Sequence, residues 1–118
     1  MSKVTILHNP RCSKSRQTLT LLQEKGIETD IVEYLKTPLN APQLEAIKSK
    51  LNITSFIEMM RVKEAEFKTA GLSKSDSSET DLLGAMVEYP KLIERPIVIT
   101  DTNAAIGRPP EAVLGLFE

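Results

Sequence analysis

The chain has 118 residues, 41% of them hydrophobic and 26% charged, and a formal net charge of −1 at pH 7. That length predicts one domain with its own core, and the charge balance gives no support to a nucleic-acid or membrane-surface partner. A single cysteine excludes an internal disulfide and any multi-cysteine metal site. No apolar run is long enough to span a bilayer or to resemble a signal peptide, so the cytoplasm is the expected location.

Val4, Ile6 and His8, alternating with Thr5 and Leu7, suit a short strand with both faces at least partly covered. Asn9-Pro10 is turn chemistry, and from Ser13 to Lys25 the residues suit a helix that Gly26 stops. Ile31, Val32 and Tyr34 mark a second strand within Glu28 to Leu35, which completes a right-handed βαβ unit with parallel strands. Asn40 to Gln43 and Ser55 to Glu58 are capping-box patterns. The first opens a helix with Ala41, Leu44, Ile47 and Leu51 on one face, and the second opens a shorter segment that ends at Arg61. Glu64 to Thr69 is a further helical turn closed by Gly71, and Ser73 to Ser78 is polar and reads as an exposed loop. Leu82, Leu83, Met86 and Val87 mark a helix that stops at Pro90. An all-helical insertion over about 40–89 is therefore expected between two halves of a sheet. The sheet resumes over Arg95 to Thr100, which with a turn at Asp101 to Asn103 and a return strand at Ala104 to Ile106 forms a hairpin. Gly107-Arg108-Pro109-Pro110-Glu111 then opens a last helix that should bury Val113, Leu114 and Phe117. The plan, βαβ followed by helices and then ββα, is an α/β thioredoxin-like mixed sheet with a helical insertion.

Chemistry concentrates where the first strand ends and the first helix begins. In open α/β sheets a ligand site is expected at the carboxyl ends of strands. Cys12 stands there, flanked by Arg11, Lys14 and Arg16. The first amides of a helix lack intrahelical partners and carry positive potential, so a thiol at that point loses its proton more readily and an oxyanion can be held above it. An inert, buried cysteine is the competing reading, and its polar neighbours argue against that. A phosphatase loop would need arginine at position 18, where Thr18 stands. A dithiol motif would need cysteine at position 15, where Ser15 stands, so the site is monothiol and an external thiol must reset it. His8 precedes Cys12 by four residues. Spacing leaves open whether it tunes the thiol or bonds the strand-end backbone. Arg61, Arg95 and Arg108 each fall at an element boundary, and their planar forks suit a tetrahedral oxyanion. Solvated surface charge is the ordinary alternative for each.

His8-Asn9-Pro10-Arg11-Cys12-Ser13-Lys14-Ser15-Arg16, Arg95-Pro96-Ile97-Val98 and Gly107-Arg108-Pro109-Pro110-Glu111 together resemble the glutaredoxin-coupled arsenate reductase family across essentially the whole chain. The Cys-Ser-Lys-Ser-Arg run is most similar to its YfgD-like branch. The resemblance implies an arsenate reductase in which Cys12 is the nucleophile and His8 helps to lower its pKa. It implies arsenate bound over Cys12 by Arg61, Arg95 and Arg108, with Lys14 and Ser15 in the substrate-binding loop and Pro96 as a cis proline. The Cys12 thiolate would displace an oxygen from arsenic, glutathione would attack as cosubstrate, and glutaredoxin would resolve the mixed disulfide. No tightly bound cofactor or metal is implied. Ser13 and Lys14 differ from the prototype reductases, and the added charge at Lys14 bears on oxyanion preference. Two alternatives follow from the same motifs: a glutathione-dependent thiol oxidoreductase with another substrate, and an Spx-like regulator that binds RNA polymerase. The second commonly uses a paired-cysteine switch, which Ser15 removes.

Overall fold

The computed structural model describes residues 4–73 and 76–117, and the chain forms two compact units. One comprises the described residues of Met1–Thr37 and Arg95–Glu118, and the other is Pro38–Glu94.

The first unit is a four-stranded sheet in the order β2-β1-β3-β4, where β1 is Val4–Leu7, β2 Thr29–Val32, β3 Ile97–Ile99 and β4 Ala104–Ile106. β1 runs parallel to β2, with Ile6 opposite Ile31, and antiparallel to β3, with Ile6 opposite Val98. β3 and β4 form the antiparallel hairpin. The central place of β1 explains why both of its faces are covered: Val4, Ile6 and Leu7 are all buried. β2 is an edge strand and shorter than its apolar run suggests, because residues 33–36 turn away from the ladder.

Helix α1, Ser13–Glu24, crosses between the parallel strands and ends at Lys25, after which Gly26 takes φ 71°. It buries Ser15, Thr18 and Leu22, one stripe at helical spacing that is polar toward its N-terminal end. Leu22 joins Val4, Ile6, Val98 and Val113 in the core, with Leu19, Ile27, Ala105 and Leu116 packed around them. Truncating Leu22 to alanine should cost about 2–5 kcal/mol.

The final segment differs from the expected helix. Pro110–Phe117 is a 3-10 helix, in which residues three apart share a face. Val113 and Leu116 therefore face the core, while Phe117, four residues on from Val113, is 38% exposed.

The second unit holds α2 (Ala41–Leu51), a 3-10 turn at Phe56–Met59, α3 (Ala65–Thr69), α4 (Glu79–Glu88) and a 3-10 turn at Pro90–Leu92. It extends past the expected end of the insertion because the Arg61 N–H donates to the Leu92 carbonyl and Met60 bridges Ile93. Asn40 and Ser55 cap their segments in full capping boxes with Gln43 and Glu58. Glu79, at the start of α4, accepts from Ser55 Oγ at 2.7 Å and the Phe56 N–H at 2.8 Å, and those bonds lower its pKa. Of the expected serine-rich loop, residues 74–75 lie outside the described residues. No described helix is long and apolar enough to cross a membrane.

Candidate active site

The loop from His8 to Cys12 is tied to α1 by its own side chains. Strand pairing continues one residue beyond β1, as the His8 N–H donates to the Val32 carbonyl at 2.9 Å. Asn9 then organises the turn: its carbonyl accepts the Cys12 N–H at 3.0 Å, and its Oδ1 accepts the Arg11 N–H at 3.0 Å. The Asn9 N–H donates to Ser15 Oγ at 3.0 Å, which fastens the turn to the first turn of the helix. Arg16 Nη1 reaches back to the Pro10 carbonyl at 2.8 Å.

Cys12 is the N-cap of α1, with extended backbone (φ −95°, ψ 122°) and a half-buried thiol that caps no amide. The first intrahelical bond is from the Arg16 N–H to the Cys12 carbonyl. Among the described residues, the N–H groups of Ser13, Lys14 and Ser15 meet no acceptor. With no acidic residue in that turn, its potential is left positive.

Arg108 approaches the same thiol from the far end of the sequence. Its Nη2 lies 3.9 Å from Cys12 Sγ, and its Nε donates to the Arg95 carbonyl at 2.9 Å. One guanidinium thus links the Cys12 thiol to the residue that opens the β3 segment. Arg95 Nε is buried and has no hydrogen-bond acceptor among the described residues, a donor suited to an anion's oxygen. The Arg95–Pro96 and Arg108–Pro109 peptide bonds are both cis. Nothing in the sequence suggested the second.

Ser15, expected in the substrate-binding set, is fully buried, and its hydroxyl is already occupied. It takes the Asn9 N–H and lies 2.6 Å from Nδ1 of His8, itself buried at 7% exposure. The hydroxyl's own hydrogen needs an acceptor, and Nδ1 is the one in reach, so the imidazole carries its proton on Nε2. Burial lowers the His8 pKa below 6.5, Glu33 opposes that, and Arg16 reinforces it. At neutral pH the ring is uncharged. Among the described residues no hydrogen bond joins His8 to Cys12; the ring's side-chain partner is Ser15. What Ser15 can offer an anion is its backbone N–H.

Lys14 is exposed at the second position of α1. Arg61 belongs to the other unit, where its guanidinium pairs with Glu64 and, at 3.7 Å, with Glu94. Its charge is already balanced there. The described residues contain no cluster of three or more histidine, cysteine or acidic side chains able to hold a metal. Two residues that sequence reasoning passed over support the site. Asn9 shapes the turn, and Gly107 packs between α1 and Pro96. Asn9-Pro10 signalled a turn, but not that its side chain would serve the next amide.

A mixed sheet with a single thiol at the N-cap position of the helix that follows its first strand defines a thioredoxin-like protein. The chain belongs to the ArsC family, whose pattern matches residues 7–116. It is 52% identical over 112 residues to the uncharacterised protein YfgD of Escherichia coli K12, covering 95% of this chain and 94% of that one. It is 48% identical over 114 residues to an arsenate reductase of Haemophilus influenzae, covering 97% of this chain and 98% of the relative. The solved structure of an arsenate reductase from Vibrio cholerae superposes with a TM-score of 0.92 at 45% identity, covering 96% of each chain.

Proposed function

We propose that this chain is an arsenate reductase, and that Cys12 is its nucleophile. The observation that carries the reading is the Arg108 guanidinium 3.9 Å from Cys12 Sγ, beside a helix N-terminus whose amides are unclaimed. Relatives named arsenate reductase, matched over nearly their full length, support the same substrate.

Arsenate seats over Cys12 with its oxygens facing the Ser13–Ser15 amides, the Arg108 guanidinium and the buried Nε–H of Arg95. The thiolate attacks arsenic, a sulfur–arsenic bond forms, and one oxygen leaves as water after protonation. Charge builds on the remaining oxygens, where fixed donors stabilise it most. The thiolate of glutathione then attacks the Cys12 sulfur. The sulfur–arsenic pair returns to arsenic, which leaves as arsenite, reduced by two electrons, and a Cys12–glutathione disulfide remains. A glutaredoxin thiolate attacks the glutathione sulfur of that disulfide and frees Cys12. The absence of a second cysteine, with Ser15 in its place, supports dependence on external thiols. These reductants fit a reducing compartment, and the cytoplasm is the location we propose.

The His8 ring and the Ser15 hydroxyl hold the loop rather than touch the oxyanion, and Lys14 adds a charge at its rim. The clamp is assigned to Arg95 and Arg108, since Arg61 is already engaged by two carboxylates. The test is a coupled assay with glutathione, glutaredoxin and glutathione reductase, read as NADPH oxidation. Saturable turnover that needs arsenate and both thiols is expected. No turnover at saturating arsenate removes the reading.

A further inference from the structure

Gly107 joins β4 to the arginine that faces the thiol, and its α-carbon has no room for a substituent. A Cβ there would lie 2.7 Å from Thr18 Oγ1, 2.8 Å from Pro96 Cγ and 3.3 Å from Pro96 Cδ. Neither neighbour yields easily. Thr18 is buried, and its hydroxyl donates to the Lys14 carbonyl at 2.8 Å within α1. The Pro96 ring is rigid and buried. Gly107 is not among the glycines with positive φ, so the demand is for space and not for backbone freedom. Two bonds hold the turn in this place: the Gly107 N–H donates to the Pro96 carbonyl at 2.8 Å, and Arg108 Nε donates to the Arg95 carbonyl at 2.9 Å.

We infer that Gly107 is a positioning residue: its missing side chain lets the turn after β4 close against Pro96 and α1, and that closure holds the Arg108 guanidinium at Cys12. The inference rests on the arsenate-reductase reading and names a further residue on which its geometry depends. A methyl group at position 107 displaces the turn from Pro96 and Thr18, and Arg108 moves with it. A misplacement of about 1 Å at a reacting centre costs on the order of 10²-fold in rate.

The test compares alkylation of Cys12 by iodoacetate, an anion, with alkylation by neutral iodoacetamide. The ratio of the two rates reports a cation beside the thiol and needs no arsenate. In Gly107→Ala the ratio should fall about fivefold, the scale of a unit charge acting across ~4 Å of water, and arsenate kcat/KM should fall about 10²-fold. General loosening of the fold would raise both alkylation rates and leave their ratio alone. Gly115→Ala, where a Cβ meets nothing within 4 Å, should keep the wild-type ratio. An unchanged ratio in Gly107→Ala overturns the inference. If that variant does not fold, Thr18→Ala/Gly107→Ala, which removes the nearest contact, is read by the same criterion. Failure of both to fold makes Gly107 a requirement of the fold alone and overturns the positioning role. A wild-type protein inactive on arsenate, combined with a lowered ratio in Gly107→Ala, overturns the substrate reading and leaves the positioning of Arg108 standing.

Discussion

The starts of α2 and α4 in one compact unit and of α1 in the other are built to opposite ends. In the insertion, α2 begins with Asn40, whose side chain accepts the Gln43 N–H, and α4 begins with Ser78, whose side chain accepts the Asp81 N–H. Glu79 and Asp81 lie in the first turn of α4, where negative charge complements the dipole. In the sheet unit, α1 begins with a thiol that accepts no helix amide, has no acid in its first turn, and has Arg108 facing it. Two of these starts are finished structures. The third is left open, at a cost in stability, and the amides left over are what an oxyanion can use.

Substitutions that close the open start, or open a closed one, separate these roles. The largest effect should come from Cys12→Ser. A serine at that N-cap has an oxygen able to accept a first-turn amide, so stability should rise by about 1 kcal/mol while arsenate turnover disappears. Urea melts and the coupled assay read the two arms, and retained turnover would break the comparison. Arg108→Ala should lower kcat/KM by about 10²–10³-fold, the scale for one lost oxyanion donor. Wild-type kinetics in that variant would remove the clamp.

Ser15→Ala leaves the Asn9 N–H and His8 Nδ1 without their partner, which should cost about 1–3 kcal/mol. A denaturant midpoint equal to the wild type's would mean that the buried hydroxyl holds nothing together. His8 adds a pH dependence whose sign follows from its lowered pKa. As pH falls, the unfolded histidine takes its proton first, near 6.5, and the folded one only below that. Its contribution is complete above about 6.5 and declines through the lower folded value as the solution is acidified. Melts of wild type and His8→Asn across this range should differ in slope, with the wild type losing more stability on the acid side. Parallel curves would contradict the buried neutral imidazole. Asn40→Ala, at a closed start, should cost about 1 kcal/mol and leave turnover untouched.

Much of this was legible because it is local. Asn40 with Gln43 and Ser55 with Glu58 are pairs three residues apart, and the backbone geometry that joins them is set by the helix itself. The alternation in β1 and the Gly26 stop are equally short-range. Phe117 departs from its expected burial because apolar spacing at 3.6 residues per turn does not hold in a 3-10 helix, which brings Leu116 beneath Val113. The spacing of Ser15 from the thiol says nothing of which face its hydroxyl lies on. Its burial is decided by the stripe it shares with Thr18 and Leu22. Gly107 meets Thr18 and Pro96, partners that only the fold brings beside it. The arginines divide in the same way. Arg108 reaches Cys12 across 96 residues, whereas Arg61 is engaged by Glu64 three residues on and by Glu94.

The most direct test of an oxyanion seated on the open start of α1 is protection of Cys12. Iodoacetate alkylation is followed by mass spectrometry while arsenate is titrated, first with wild type and then with Arg108→Ala. The expected result is a saturable slowing in the wild type that largely disappears in the variant. Alkylation indifferent to arsenate in the wild type would contradict the account.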